Sequence, residues 1–467
     1  MPKVSIVIPC LNSVKYIKET MESVINQTLK EIEVLVIDAG STDGTLEILH
    51  EFAKKDNRVK VLSSDKKSMG YQYNLGINAS TGDYIGFVET DDYIELVMYE
   101  ELYSIIEEKC VDYVKAGFDM FADIYGERLF LGYKPLIGRN AKLYGKVISP
   151  NDYPDLIFRD VNIWNGVYSR KFLNEESIRF NETPGAAFQD MGFVLQTLVL
   201  AEKAIYIDKS FYRYRRDNMG SSVYNKNTHN YVKWEFEYIQ RRLSNTFLVD
   251  SYYLEPLVYI RFFKNYLGML RSNLLKTEIC SDELYASLSS FRGLFQKGYE
   301  LFDITKRSWI DLGTRHEILM LLGSDYEHYC SMLKQSAQIN QDLLREWIKF
   351  LKQQSELLLF GAGGVGGGVY CYLKRNELDI IGFCDNDKNR WNKSYMGKKV
   401  YSPIEAATKY PKAVYLVTVS NYASDIKNQL IGSNIELGRI CNCYIPIGPH
   451  TAFELDVLLQ AKEGASK

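Results

Sequence analysis

Three carboxylates fall within four residues, Glu89, Asp91 and Asp92, directly after the apolar run 84–88 (YIGFV). Like charges held this close repel, so the cluster costs stability unless a cation compensates. Oxygen ligands on a short turn suit a hard divalent ion such as Mg2+ or Mn2+. A solvated acidic turn that merely caps the next helix has the same composition. What precedes it in the chain favours the cation site.

The elements that must position this cluster alternate. Residues 4–9 (VSIVIP), 32–37, 59–63 and 84–88 read as strands, and 13–27, 46–52 and 71–79 carry apolar residues at helical spacing. Near-continuous apolar strands alternating with helices predict an α/β fold with a parallel sheet covered on both faces. Ligands in such sheets sit off the carboxyl ends of the strands. Asn12, Asp38 and the 89–92 cluster all fall at those ends, so residues distant in sequence are expected to converge on one crevice.

The spacing is also specific. Pro9-x-Leu11-Asn12, Ser23-Val24-x-x-Gln27-Thr28, Val36-Ile37-Asp38-x-Gly40-Ser41-x-Asp43-Gly44-Thr45, Asn74-x-Gly76-Ile77 and Gly82-x-Tyr84-Ile85 lead in order to Glu89-x-Asp91-Asp92. Over about the first 100 residues this resembles a family 2 glycosyltransferase. The resemblance implies a GT-A fold and an inverting transfer from a nucleotide-diphosphate sugar, a UDP-sugar first among them. It places Pro9, Leu11, Asn12, Asp38, Gly70, Asn74, Glu89 and Asp91 on the donor side. Asp91 and Asp92 are expected to hold Mn2+ or Mg2+ together with the diphosphate. Two positions depart from the pattern: Ala39 stands where many members have a second acid, and Tyr73 where many have a basic residue. Lys66 and Lys67 lie nearby as cations that could face a diphosphate or simply water.

The block from Trp164 to Leu173, followed by Phe188-Gln189-Asp190-Met191-Gly192-Phe193, is similar to the acceptor half of the same family. By that resemblance Asp190 is the catalytic base, with Gln189 in place of the usual Glu. Inverting transfer needs one carboxylate to take the acceptor hydroxyl's proton. Asp190 could equally cap the helix that follows. The run Phe211-Tyr212-Arg213-Tyr214-Arg215-Arg216 reads as a lid or diphosphate clamp, or as an aromatic-basic surface strand.

Residues 226–355 read as a helical connector under a catalytic domain spanning 1–225. Trp234, Phe262, Phe263 and Tyr266 are aromatics available for a membrane or a partner if exposed. Residues 356–446 form a second module that resembles small Rossmann-like domains. A strand runs into Gly361-x-Gly363-x-x-Gly366, a helix follows, and Asp385 closes the next strand about 20 residues on, as a ribose-binding acid would. Residues 447–467 read as a tail.

Composition sets the remaining bounds. A net charge of -3 over 467 residues gives no basic field for nucleic acid. Eight scattered cysteines without a C-x-x-C pair predict reduced thiols in a cytoplasmic protein. No apolar run reaches the roughly 18 residues of a membrane span. Contact with the inner face of a membrane is therefore peripheral if it occurs, and a homo-oligomer stays open. The expected acceptor is a saccharide or lipid-linked glycoconjugate of a bacterial surface polymer. Two other classes fit parts of the chain. One is a nicotinamide-dependent oxidoreductase centred on 361–366; the other is a catalytically inactive nucleotide-sugar-binding protein, which Ala39 and Gln189 keep open.

Overall fold

A computed structural model describes residues 1–124, 127–134, 141–153, 155–218, 220, 228–250, 254–276, 281–302, 312–323, 326–418 and 423–442. The chain divides into two units, one built from 1–119 and 133–333, the other from 120–132 and 334–467.

The first unit opens with β1 (Val4–Cys10), α1 (Ile17–Ile25), β2 (Ile32–Asp38), α2 (Thr45–Lys55), β3 (Val59–Ser63), α3 (Met69–Ala79) and β4 (Tyr84–Phe87). Every residue of β1 and β2 is buried, as expected for central strands covered on both faces. All four strands are parallel in the order β3-β2-β1-β4. Helix α3 lies close on β1 because position 76 is glycine; a Cβ there would run into Val7.

Beyond β4 the sheet turns antiparallel. The chain continues through β5 (Tyr93–Ile94), α4 (Met98–Lys109), β6 (Tyr113–Ile124), β7 (Glu127–Lys134), β8 (Val147–Ile148), α5 (Leu156–Arg159), β9 (Gly166–Ser169), α6 (Arg170–Glu175), α7 (Gln189–Leu200) and β10 (Ala204–Arg215). Strand order runs β4-β9-β6-β10-β5, with β9 antiparallel to β4 and β10 antiparallel to β5. In the region 111–121, where strand and turn signals mix in the sequence, strand is continuous from Tyr113 on. In the predicted 122–150 excursion β7 is formed, while 125–126 and 135–140 lie outside the described residues.

The helical region is α8 (Thr228–Asp250), α9 (Leu254–Lys276), α10 (Ser281–Phe302), α11 (Leu312–Leu322) and α12 (Tyr326–Lys352). Phe262, Phe263 and Tyr266 are each 0% exposed, so these three are not a docking surface. They close an aromatic core in which Tyr266 stacks on Phe291 and Phe236 on Phe262. Trp234 is the member of that set that reaches solvent. Among the described residues no helix is long and apolar enough to cross a membrane.

The second unit carries β11 (Leu357–Phe360), α13 (Gly364–Arg375), β12 (Gly382–Cys384), β13 (Ser394–Tyr395), β14 (Lys398–Tyr401), α14 (Pro403–Lys409), β15 (Val414–Val417), α15 (Ala423–Gly432) and β16 (Ile440–Asn442). Strands β14-β12-β11-β15-β16 are parallel, and β13 pairs antiparallel with β14 at one edge. The last turns of α12, with Trp347, Ile348 and Leu351, pack into the apolar layer on one face of this sheet. The 447–467 segment lies outside the described residues.

One buried acid ties the first sheet together. Glu33 on β2 is 4% exposed and accepts bonds from Ser5, Thr81 and Lys60. Burial pushes its carboxyl up, but the bonds from Ser5, Lys60 and Thr81 outweigh burial and bring it to about 2. A carboxyl lowered on folding adds stability above its unfolded value, and that stability is lost as pH falls toward the folded one. Glu33→Gln should therefore cost about 2 kcal/mol at pH 7 and much less at pH 2.5. Denaturant melts of the two proteins at both pH values check this; an equal difference at both would refute it.

Candidate active site

A cavity of about 780 Å³ opens at the carboxyl ends of β1 and β4, within the usual range for a small-molecule site. Its walls come from 9–16 after β1, the start of α3 with Lys67–Met69 and Gln72, the acidic turn 89–91, the 162–164 segment, the 185–190 loop, and Tyr214, Asn218 and Tyr231. Pro9, Leu11, Asn12, Glu89, Asp91 and Asp190, separated by up to 181 positions in the chain, thus meet on one surface, as the strand-end argument predicts.

The turn after β4 holds Glu89, Asp91 and Asp92 with one oxygen of each within 4.8 Å of the others. Their surroundings differ. Asp92 is 1% exposed; one oxygen accepts from the Tyr212 hydroxyl at 2.7 Å and the other from the Arg215 N–H at 2.7 Å. Asp91 and Glu89 are half-buried and line the cavity. The sequence pairs Asp91 with Asp92 as metal ligands; the structure brings Glu89 to the same pair, with Asp92 the most buried of the three and bonded to Tyr212 and Arg215. Asn218 donates to the Asp91 carboxylate at 2.7 Å.

Burial raises all three carboxyls. Neighbouring charge adds to it: Asp91 and Asp190 act on Glu89, and Asp91 and Glu89 act on Asp92. At Asp91 the Asn218 amide opposes the rise. Crowded, half-dehydrated oxygens that resist ionisation are what a hard divalent cation relieves, so Glu89 and Asp91 fit Mn2+ or Mg2+.

Arg215 is no open clamp. It is 5% exposed, and its Nε donates to the Asp91 carbonyl at 2.7 Å. Nη2 reaches Glu19 at 2.6 Å, and the guanidinium lies over the Tyr16 ring. The far strand β10 thereby fixes the acidic turn from beneath. Trp164 stacks between Tyr212 and Tyr214, with centroids 4.1 and 5.1 Å away, and continues that wall.

Asp190 stands in the first turn of α7, one oxygen accepting from the Met191 N–H at 2.8 Å. Burial raises its carboxyl, and the Met191 N–H and the Arg261 charge oppose the rise. Gln189 is 0% exposed and points away from the cavity. Its carbonyl accepts from Ala187 N–H at 2.7 Å, and its amide donates to Thr183 and Gly185. A carboxylate could not donate, so Gln suits this loop as Glu would not.

Four predicted site residues do not line the cavity: Asp38, Gly70 and Asn74 from the donor side, and Asp92 from the metal pair. Asp38 is 4% exposed and closes its own turn by accepting from the Gly40 and Ser41 N–H groups and the Ser41 hydroxyl. Asn74 bonds both ways with the Phe180 backbone and reaches Glu182, pinning the 180–182 segment to α3. Gly70 leaves room for that same segment, since a Cβ would strike the Asn181 carbonyl. Tyr73, in the place of a basic residue, is buried and stacks on Phe180. Lys66 pairs with Glu182 at 3.3 Å, while Lys67 lines the cavity.

In the second unit, Gly361 adopts φ +119 and Gly366 is close enough to Gly361 that a Cβ would strike its carbonyl. Asp385 accepts from the Ala362 N–H at 2.8 Å and from the Asp387 N–H at 2.8 Å. Arg390 and Tyr395 donate to the Ala362 and Gly363 carbonyls. The acid predicted to hold a ribose is bonded to the glycine turn itself.

Tyr16, Asn162, Asn218 and Tyr231 in the cavity wall escaped the sequence reading; each is a polar or aromatic residue with no spacing signal of its own.

Raised carboxyls favour the folded state at low pH, and that contribution is lost as pH rises through their folded values. In metal-free protein, Glu89→Gln should therefore stabilise the fold at pH 8 by about 1–2 kcal/mol. Saturating Mn2+ should stabilise the parent by about 3 kcal/mol and the variant far less. Thermal melts with and without Mn2+ decide this; an equal Mn2+ increment in both proteins would remove Glu89 from the metal set.

Residues 5–157 match the Glycosyl transferase family 2 profile, and residues 353–441 match one described as C2185-like, N-terminal. Glycosyltransferase GlyG of Streptococcus pneumoniae is 30% identical over 223 residues, 46% of this chain and 70% of that protein. Glycosyltransferase GlyA of the same organism is 30% identical over 217 residues, again 46% of this chain but only 30% of GlyA's own length. Among solved structures, residues 1–349 of Staphylococcus aureus TarS in complex with UDP-GlcNAc superpose with a TM-score of 0.55 at 19% identity, covering 72% of this chain and 91% of that one. At that identity the likeness speaks to the fold alone, and it agrees with a GT-A arrangement. With a sheet-end cavity, an acidic turn and a relative matched over most of its length, the chain belongs to glycosyl transferase family 2.

Proposed function

We propose that the first unit transfers a sugar from a nucleotide-diphosphate donor to a hydroxyl of a saccharide or lipid-linked acceptor, with inversion at the anomeric carbon. The observation that carries this reading is the meeting, in one cavity, of the half-buried pair Glu89 and Asp91 with the separate carboxylate of Asp190. One acidic group handles the leaving side and the other the attacking side, the division such a displacement needs.

In this reading the 9–16 rim and Lys67 hold the nucleotide and diphosphate, and Glu89 and Asp91 hold Mn2+ or Mg2+. When bound, that ion neutralises charge on the departing diphosphate. Asp190 accepts the proton of the acceptor hydroxyl as its oxygen bonds to the anomeric carbon and the carbon–oxygen bond to the diphosphate breaks. Gln189 holds the 183–187 loop so that Asp190 faces inward. Tyr214, Trp164 and Tyr231 give the acceptor side apolar surface suited to a sugar ring.

The UDP-GlcNAc bound by TarS makes UDP-sugars the first donors to try, and a bacterial surface glycan is the product proposed here. Action at the cytoplasmic side, with peripheral membrane contact through the acceptor, follows if that acceptor is lipid-linked. A Rossmann-like second unit acting as a structural or interaction module completes the reading. The oxidoreductase alternative draws no support from a glycine turn whose acid is already bonded to backbone.

The test is a panel of UDP-, GDP-, CDP- and dTDP-sugars scored for binding and turnover with and without Mn2+. Asp190→Asn should lower turnover by about 10²–10⁴-fold and leave donor affinity within a factor of about three. Loss of donor binding in that variant would overturn the base assignment, and turnover without any of these nucleotides would overturn the donor class.

A further inference from the structure

Helix α8 lies beside the cavity and carries aromatic surface that the transfer reading uses only in part. Its inner face, with Val232, Phe236, Ile239 and Leu243, is fully buried, and Phe236 stacks on Phe262 of α9. A second face runs antiparallel along the 179–185 segment. The Tyr238 hydroxyl donates to the Arg179 carbonyl at 2.9 Å. The Asn181 amide donates to Glu235 at 3.0 Å and to the Trp234 carbonyl at 3.4 Å. The Tyr231 hydroxyl lies 3.0 Å from where a side chain on Gly185 would begin. Glu235 also seats α8 on α7, because its carboxyl fills the space a Cβ at Gly192 would need. Since α7 carries Asp190 in its first turn, α8 and Asp190 share one frame.

Tyr231 is part of the cavity wall. Trp234 stands almost one turn further along α8 and is 39% exposed. Its ring meets that of Tyr231 edge to face, with centroids 5.2 Å apart and planes at 81°. A lone surface tryptophan needs no explanation. This one continues a cavity wall out to solvent, so the two rings make an aromatic corner leading away from the site.

The neighbours of that corner indicate what it suits. Beside it the chain presents Asn181 and Glu182, the latter paired with Lys66 at 3.3 Å. On the described part of α8 no other large apolar side chain is exposed, so the helix offers no apolar face to enter a lipid layer. An aromatic plate bordered by an amide and a carboxylate fits a sugar, whose ring has an apolar C–H face and a rim of hydroxyls. The separation of the two rings is similar to the step from one sugar to the next in a saccharide chain. A sugar held against Tyr231 therefore sets its neighbour on Trp234.

We propose that Tyr231 and Trp234 form an extended acceptor subsite, in which Trp234 stacks against the second sugar of a saccharide, so that acceptors of two or more residues are favoured over a single sugar. The role of that saccharide as acceptor rests on the transfer reading; its binding at Trp234 does not.

The test is binding of the full-length chain, with UDP and Mn2+ present, to an array of bacterial mono- to tetrasaccharides. The parent should hold its preferred saccharide about tenfold or more tightly as a di- or trisaccharide than as the monosaccharide that ends it. Trp234→Ala should lose most of that gain, and Trp234→Phe, which retains a ring, should recover much of it. Both variants should melt within about 3 °C of the parent and bind UDP within about twofold of it. The same preference for length in the parent and in Trp234→Ala would overturn the proposal, as would a parent that binds no saccharide on the array. Trp234-dependent binding to phosphatidylglycerol vesicles, with none to saccharides, would overturn it in favour of a membrane contact. Loss of the length preference in Trp234→Ala, with no nucleotide sugar turned over by the parent, would keep the saccharide surface and retire the transfer reading. Turnover indifferent to acceptor length in every variant would do the reverse.

Discussion

The first unit depends on holding negative charge where water is scarce. Three carboxylates at the end of β4 repel one another, and a turn left to itself would splay into solvent. It does not because β10 returns to the same sheet and grips it. The Tyr212 hydroxyl and the Arg215 N–H take both oxygens of Asp92, and the Arg215 side chain takes the Asp91 carbonyl. One acid of the three is thus a structural anchor, and its anchoring leaves Glu89 and Asp91 facing the cavity. The topology makes this possible: beyond β4 the sheet continues through β9 and β6 to β10, whose last residues bond the turn after β4.

The same principle recurs around the wall. The 183–188 loop contains two left-handed residues, Gly185 and Phe188, and little regular structure. It is held by the two-way amide of Gln189 and by backbone bonds to Lys67 and Met69 at the start of α3. Asn74 fixes the neighbouring 180–182 segment in the same manner. Irregular backbone forms this part of the cavity wall, and buried side-chain amides on helices supply its rigidity. This division keeps Asp190 in place without a second acid beside it.

Much of this was legible in the residues and some was not. Apolar strands alternating with amphipathic helices specify the parallel half of the sheet, and polar residues at its strand ends specify where the cavity opens. Which acid faces in and which faces out was hidden, because Asp91 and Asp92 are the same residue type and differ only in what β10 brings from 120 positions away. The local bonds of Asp38 and Asn74 were hidden for a like reason. Short polar side chains beside a glycine serve turns and ligands equally well, and only the bond partners separate the two. Phe262, Phe263 and Tyr266 were open to a surface reading because helical periodicity gives a face without saying what covers it; α8 and α10 do.

The glycine turn of the second unit has one further consequence. The amide of Ala362 is the kind of donor a phosphate seeks at the head of a helix, and Asp385 already occupies it. An incoming anion would have to evict a carboxylate and then sit beside it, meeting repulsion where the backbone alone would offer attraction. The loop is in effect pre-loaded with its own anion, and the same bond locks the β11–α13 corner against the end of β12.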